Sequence, residues 1–438
     1  MKNTDHSSNS PGTLQWATVL FFVALFLGLL LRVIFPSDME WKNDEVWMFY
    51  ASQTLSFFKN FSTLGMESGA GIQNPGFSLW PFMGFAQFSS TPVGMVQWVQ
   101  WLNVLAILGA LIAAFKLFQG EIKTLWMKTL LLMSVSPLPV LFSRKLWAQC
   151  VLPPLMFLFF FSYRKRMTQV GAFFWGFLGL VIGQIHLSGF FFTASVFLSF
   201  LIIERKNLRE TKWGAWVFGN FLSLLLMIPW MQEAITHLGG GTVSRSGSWA
   251  NLFKLKYFAH WLGTASGVYL RQAFKSEFST FMKEPVFFGV PTGLVGLFHL
   301  VLIGIFGFLF FKWLSAIFFK KTGKAYTEKL DSDHRVFLIA SGLVLGGFFS
   351  FLRLNVHGHY LIVAYPWMFF WLVLLFQGRK RLFSLFISAN LFVSLYFVGY
   401  VHIEGGIPEG DYGVSYRLKE NWPILDHPLP EFKEYRKE

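Results

Sequence analysis

Charge is scarce in this 438-residue chain. Asp, Glu, Lys and Arg together make up 14% of it, against roughly 25% in an ordinary soluble domain. A soluble chain of this length would lack the polar surface needed to cover its core. Acidic residues are the scarcer sign, 23 against 37 Lys and Arg. Cysteine is nearly missing: the single Cys150 lies in an apolar run and excludes a disulfide framework within one chain. What fills the chain instead is apolar side chain, 54% of residues, with 55 Phe among a 19% aromatic content. Lipid contact removes the need for a polar coat, so the composition describes an integral membrane protein. The net charge of +14 is not gathered on one polar domain but sits in short clusters between apolar runs. That is the pattern of the positive-inside rule, and it argues against nucleic acid as a partner.

A membrane-crossing helix needs about 20 apolar residues. Such runs fall at 14–35, 92–117, 124–142, 146–163, 170–185, 187–203, 213–231, 285–311, 336–354, 360–376 and 382–401. The expected fold is therefore all-α: a polytopic transmembrane helical bundle of about 11 spans. The first run is too long for a signal-peptide core and has no small-residue cleavage site, so it reads as a retained span. Residues 1–13 form a short N-terminal tail, 14–401 the transmembrane domain, and 402–438 a polar tail punctuated by Pro408, Pro423, Pro428 and Pro430. Two stretches between spans are long and polar, at about 36–91 and 232–284. The first should carry interfacial helices, an amphipathic one over 45–58 and a short Gly/Pro-punctuated one over 75–88.

Orientation follows from charge. With the N-terminus in the cytoplasm, the inner loops carry Arg164, Lys165, Arg166, Arg205, Lys206, Arg209, Lys212, Lys320, Lys321, Lys324, Arg379, Lys380 and Arg381. Only the tight Arg144-Lys145 turn breaks the rule. The expected placement is N-terminus in and C-terminus out, with both long loops and the tail outside. Short loops and the lack of accessory domains suggest a bacterial cytoplasmic membrane.

The outer loops then hold the polar residues that could do chemistry. Glu40-Trp41-Lys42-Asn43-Asp44-Glu45 follows the first span closely. A carboxylate at the membrane–water boundary is partly desolvated, which raises its pKa towards the range of a general base. A solvated loop within an aromatic interfacial belt fits the same residues. Arg144 and Lys145, on an outer turn, call for a compensating anion, either a lipid phosphate or an ordinary headgroup. Arg353 stands at another outer span end, and arginine can grip phosphate bidentately. His357 and His359 leave a divalent metal open, although further ligands are not evident; no other cofactor is called for. His186 reads equally as a cavity-facing residue or a satisfied bundle histidine. The Gly/Ser-rich stretch 239–247 lacks the phosphate-loop pattern and is either a lid or plain flexible loop. Lys254, Lys256, Arg271 and Lys275 could meet anionic headgroups.

Asp44-Glu45, leading into a helix with Tyr50-Ala51 a turn later, resembles the first external loop of the GT-C membrane glycosyltransferases. Protein O-mannosyltransferases and lipid A aminoarabinose transferases belong to that superfamily. Asn74-Pro75-Gly76-Phe77 stands where those proteins carry a His-Pro-Pro-Leu-like turn. Ser136-Pro137 with Ser143-Arg144, and His359-Tyr360-Leu361 with Pro366, resemble two further family motifs. The similarity runs from about residue 14 to 400, with short, degenerate motifs. Two departures are Asn74 for the usual His and the lack of a large soluble C-terminal domain. The resemblance implies a sugar moved from a polyprenyl-phosphate donor to a lipid, glycan or protein acceptor at the outer leaflet. Asp44 takes the place of the family's catalytic carboxylate, with Glu45 as its alternative or structural partner. Arg144, Lys145, Arg353, His359 and Tyr360 are the candidates for holding the donor phosphate. A polytopic transporter or lipid flippase stays as the alternative, although the chain has no convincing internal repeat and its spans carry little mid-bilayer charge.

Overall fold

The computed structural model describes residues 11–55, 61–67, 73–239, 255–318, 330–352 and 356–419. The chain is nearly all helical. Six helices are long and apolar enough to cross a membrane: Pro92–Leu117, Trp213–Glu233, Leu294–Phe318, Ser332–Phe351, Gly358–Leu375 and Lys380–Glu404. Three shorter apolar helices, Thr18–Val33, Gln169–Ile185 and Ser188–Ile203, stand among them. β-structure among the described residues comprises three two-stranded antiparallel ribbons, Leu64–Glu67 with Gln73–Pro75, Val286–Phe287 with Val290–Pro291, and Gly406–Ile407 with Gly413–Val414, and an isolated bridge between Glu40 and Ser415.

Two of the expected spans are not continuous helices. The run expected over 124–142 is helical as Gly120–Val135, breaks at Ser136, and resumes as the short helix Pro137–Phe142. Ser136 is extended (φ −74°, ψ 137°), as the residue before a proline prefers. The run expected over 146–163 starts as a 3-10 turn, Ala148–Val151, and is α-helical only over Leu152–Arg164, with Pro153 and Pro154 in its first turn. Proline sits well there because its missing N–H would be unpaired anyway. The span expected at 285–311 begins later, at Leu294, behind the Val286–Pro291 ribbon, and runs on to Phe318. The polar stretch 232–284 is not a simple loop: the Trp213–Gly239 helix continues through Pro229, and helices Lys256–Ser266, Arg271–Phe274 and Phe278–Lys283 follow. The first loop carries the helix Asn43–Thr54 and the short helix Trp80–Ala86, close to expectation.

Aromatic side chains fill the centre. Trp126 and Phe160 meet Trp367 edge to face, with centroids 5.4 and 4.6 Å apart, a favoured arrangement of ring quadrupoles. At one end of this core a polar cluster closes the bundle. Arg166 pairs with Asp333 at 2.6 Å and Glu204 at 3.5 Å. Arg164 pairs with Asp331 at 2.8 Å. His334 is held between Asp331 and the indole N–H of Trp126. The helix Leu152–Arg164 runs from that cluster to the opposite end, about 20 Å away at 1.5 Å per residue, where Trp147 and the first loop lie.

Two buried arginines tie the first helix to its neighbours. Arg32 donates to the carbonyls of Met133 (2.8 Å) and Ser134 (2.6 Å), in the last turn of Gly120–Val135. Arg144 answers by donating to Leu31 (2.8 Å), Ile34 (2.6 Å) and Phe35 (2.9 Å), at the end of the first helix. Each cation thus fills the unpaired carbonyls at a helix C-terminus, the negative end of its dipole. Gly28 permits the approach: a Cβ there would lie 2.6 Å from the Ser134 carbonyl oxygen.

Candidate functional site

The end of the bundle opposite the Arg166 cluster holds a cavity of about 170 Å³. Five separate parts of the chain supply its polar lining, four of them being Glu40 from the first loop, Lys145 and Trp147 from the turn after Pro137–Phe142, Tyr269 and Gln272 from the 232–284 stretch, and His357 and His359 at the start of the Gly358–Leu375 helix. Asp411 and Tyr412, from the chain after the last long helix, complete it.

Lys145 is the cation of this wall. It is 6% exposed, forms a close ion pair with Glu40, and its Nζ stands 4.0 Å from the centre of the Trp147 ring. Burial penalises the ammonium, but Glu40 and then Glu45 outweigh that and hold its pKa above the ordinary lysine value. Glu40 is also within 3.2 Å of Lys42, so one carboxylate spans two ammonium groups. The imidazoles lie behind this pair. His359 meets Trp147 edge to face (5.4 Å), stacks with His357 (5.7 Å) and faces His186 (5.8 Å). Desolvation lowers His186 to about 4, so it stays neutral near neutrality; its Nδ1 is shared with the Ser188 hydroxyl at 2.6 Å. Tyr360 packs on both His186 and His359. Among the described residues no group of three or more His, Cys, Asp or Glu side chains is arranged to hold a metal ion.

The acidic pair of the first loop divides into two roles. Asp44 is exposed, in the first turn of Asn43–Thr54, where the helix N-terminus suits a carboxylate. Its carboxyl is raised above the usual range by partial burial and then by Glu40, against the pull of Lys145 and Lys42. Glu45 is fully buried and its Oε2 accepts from the Lys42 backbone N–H at 3.2 Å, closing the helix start. Burial, then repulsion from Glu40, pushes its carboxyl well above the carboxylate range. A carboxyl raised in the folded state contributes stability that is complete below the unfolded pKa and is lost as pH rises through the folded one. Glu45→Gln keeps the acceptor and removes the charge. It should therefore raise Tm in alkaline buffer and leave it unchanged in acid, as thermal unfolding in detergent across pH would read. An equal shift at every pH would assign the effect to packing instead.

Of the residues singled out from sequence, Lys145 and His359 meet at the cavity, Tyr360 flanks them, and Asp44 and Glu45 lie close to Glu40. Arg144 does not join them: both terminal nitrogens of its guanidinium are taken by the first helix. Arg144 is thus compensated by a row of neutral helix carbonyls and Lys145 by the Glu40 carboxylate. Arg353, like 240–254 with most of the Gly/Ser-rich stretch and Lys254, lies outside the described residues. Glu40, Trp147, Tyr269, Gln272 and Asp411 were not singled out as site residues. The outer lysine was a usable signal that an acid of the first loop meets it, without marking Glu40 among Asp38, Asp44, Glu45 and Glu67; nothing local marks Asp411.

The chain after the last long helix is no free tail. Gly405 (φ 70°) turns it back, and Ser415 forms a bridge with Glu40. The Tyr416 N–H donates to Met39 O at 3.0 Å, Lys419 Nζ to Trp41 O at 2.7 Å, and Tyr412 to the Asp38 carbonyl. Asp38, wholly buried, binds His402 Nδ1 at 2.6 Å and pairs with Arg417 Nε at 3.0 Å. The described part of the expected polar tail, up to Lys419, thus packs on the first loop, and its Pro423, Pro428 and Pro430 lie outside the described residues.

Fold and site together define a class: a polytopic helical membrane protein with a charge-paired cavity at one end of an apolar bundle. No family model, curated protein or solved structure matches the chain.

Proposed function

We propose that the protein is a membrane glycosyltransferase, moving a sugar from a polyprenyl-phosphate donor to a lipid, glycan or protein acceptor at the outer face of the membrane. The observation that carries this reading is the cavity where Lys145, Glu40 and Trp147 converge within electrostatic reach of the exposed Asp44. In the transfer, the acceptor oxygen attacks the anomeric carbon, a new C–O bond forms, and the bond to phosphate breaks with its electron pair leaving on the polyprenyl phosphate. Asp44 takes the acceptor proton; its raised carboxyl suits it to a base better than an ordinary aspartate. Lys145 balances the charge growing on the departing phosphate. The Trp147 ring offers a flat apolar face for a sugar.

The topology that goes with this reading has about 11 crossings, counting the broken segments around 120–142 and 148–164, with the N-terminus in. It puts the Arg164–Arg166 end in the cytoplasm and the cavity, the first loop and the chain beyond Glu404 outside, in keeping with the positive-inside rule. A bacterial cytoplasmic membrane suits it. Concentration of polar groups at the two ends, with an aromatic core between, favours surface chemistry over a conduit.

Asp44→Asn tests the reading. It should reduce transfer by about 10²–10⁴-fold, the usual contribution of a positioned base, with insertion and Tm unchanged. Surface glycans analysed by mass spectrometry in cells with the chain, without it, and with the variant provide the measurement. Glycans unaffected by deletion would sink the enzyme reading; full activity in the variant would remove Asp44 as the base.

A further inference from the structure

Glu40 holds two lysines of different character. Its Oε2 pairs with Lys145 on the cavity wall, and its Oε1 lies 3.2 Å from Lys42 Nζ. The Lys42 side chain is 34% exposed, whereas those of Lys145 and Glu40 are 7% and 4% exposed. Trp147, beside Lys145, carries a buried indole N–H with no hydrogen-bond partner. The wall therefore presents one desolvated ammonium, paired directly with the Glu40 carboxylate and acted on by Glu45 as well, and beside it one unpaired N–H donor. Asp411, the other acid of the lining, is engaged by Lys275 at 2.8 Å.

An ammonium this deeply buried cannot be left unpaired, because the uncompensated charge would cost several kcal/mol. A ligand anion can reach Lys145 only if it replaces the charge already there. We propose that the cavity binds a phosphate-group anion by exchange: the anion takes Lys145 from Glu40, and the Glu40 carboxylate passes over to Lys42. The number of buried charges on the Lys145 side is then the same before and after binding, so the ammonium is never stranded. Phosphate fits the donor set because its oxygens can accept from the ammonium and the indole N–H together. Glu40 acts as a placeholder that sets affinity, and Lys42 as the acceptor that lets it leave. This deepens the glycosyltransferase reading and rests on it for the lipid nature of the phosphate.

The test is ligand-dependent thermal stability of the full chain in detergent, with inorganic phosphate and farnesyl phosphate as probes against chloride at equal ionic strength. Wild type should gain Tm with a phosphate probe and not with chloride. Glu40→Gln should tighten apparent affinity roughly tenfold, the equivalent of about 1.4 kcal/mol, because the competing carboxylate is gone. Lys42→Met should weaken it, because Glu40 then has no second partner; this variant carries the test where Glu40→Gln does not fold. Lys145→Met should abolish the response. A lower effective concentration for farnesyl phosphate than for inorganic phosphate identifies a lipid-borne source, and equal concentrations a free one; both support exchange. Unchanged affinity in Glu40→Gln and Lys42→Met, or a response that survives Lys145→Met, overturns it. Phosphate binding with this pattern in a protein that transfers no sugar would sink the transferase reading alone, and transfer without such binding would sink the exchange alone.

Discussion

Lys145→Met is expected to destabilise the protein by about 3–5 kcal/mol, the range for removing one member of a buried ion pair. Methionine keeps most of the aliphatic stem, so the loss reports charge more than volume. Glu40, 3% exposed, is left against the cavity with Lys42 alone, at 3.2 Å. That partner is partly exposed and worth less, which places the effect towards the lower end of the range. Loss of the ammonium over the Trp147 ring adds about 0.5–2 kcal/mol. The informative control is Lys145→Met combined with Glu40→Gln. Removing both charges should recover most of the stability, because no charge is then stranded. Unfolding in detergent gives all three values. If the double variant is as unstable as the single, the pair is not the source.

Asp38→Ala is expected to release the chain beyond Glu404 from the first loop. Of the two partners of the Asp38 carboxylate, Arg417 belongs to that chain and His402 to the last long helix, and a charge-assisted bond such as that to Arg417 contributes about 1.5–3 kcal/mol. Among the bonds that remain to the first loop are the neutral Tyr416 N–H to Met39 O bond, nearer to about 1 kcal/mol, and the partly exposed Lys419 Nζ to Trp41 O bond near the end of the segment. The amides of Tyr412, Ser415 and Tyr416 should therefore exchange roughly 10–10³-fold faster with solvent, corresponding to about 1.4–4 kcal/mol of local opening. Asp411 and Tyr412 line the cavity, so the same change should expose it, and phosphate-dependent stabilisation should fall with it. Unaltered protection at those amides would mean that the backbone bonds alone fasten the segment.

The membrane character of this chain is written in composition. Long apolar runs and sparse charge leave few soluble solutions, and helices are what satisfy backbone groups in lipid. The helices 92–117 and 380–404 were readable for that reason, as was the polar break near His186. Where proline interrupts an apolar run, hydropathy alone misjudges the helix: Ser136-Pro137 splits one expected span and Pro153-Pro154 shortens the next, because a window average does not register a missing N–H. The acidic pair Asp44-Glu45 stood out by type and position, but its division into an exposed carboxylate and a buried helix cap depends on which face of Asn43–Thr54 meets the bundle. Arg144 and Lys145, adjacent in sequence, look equivalent as cations; opposite partners, helix carbonyls for one and Glu40 for the other, separate them. The cavity itself needs residues from 40 to 412 to converge. Such pairings across more than 300 residues leave no local periodicity to read, since they are selected by packing and by the cost of an unpaired buried charge. Sequence determined that this protein is a helical membrane bundle with its charged residues gathered between apolar runs; only the tertiary structure decided which acid faces which base there.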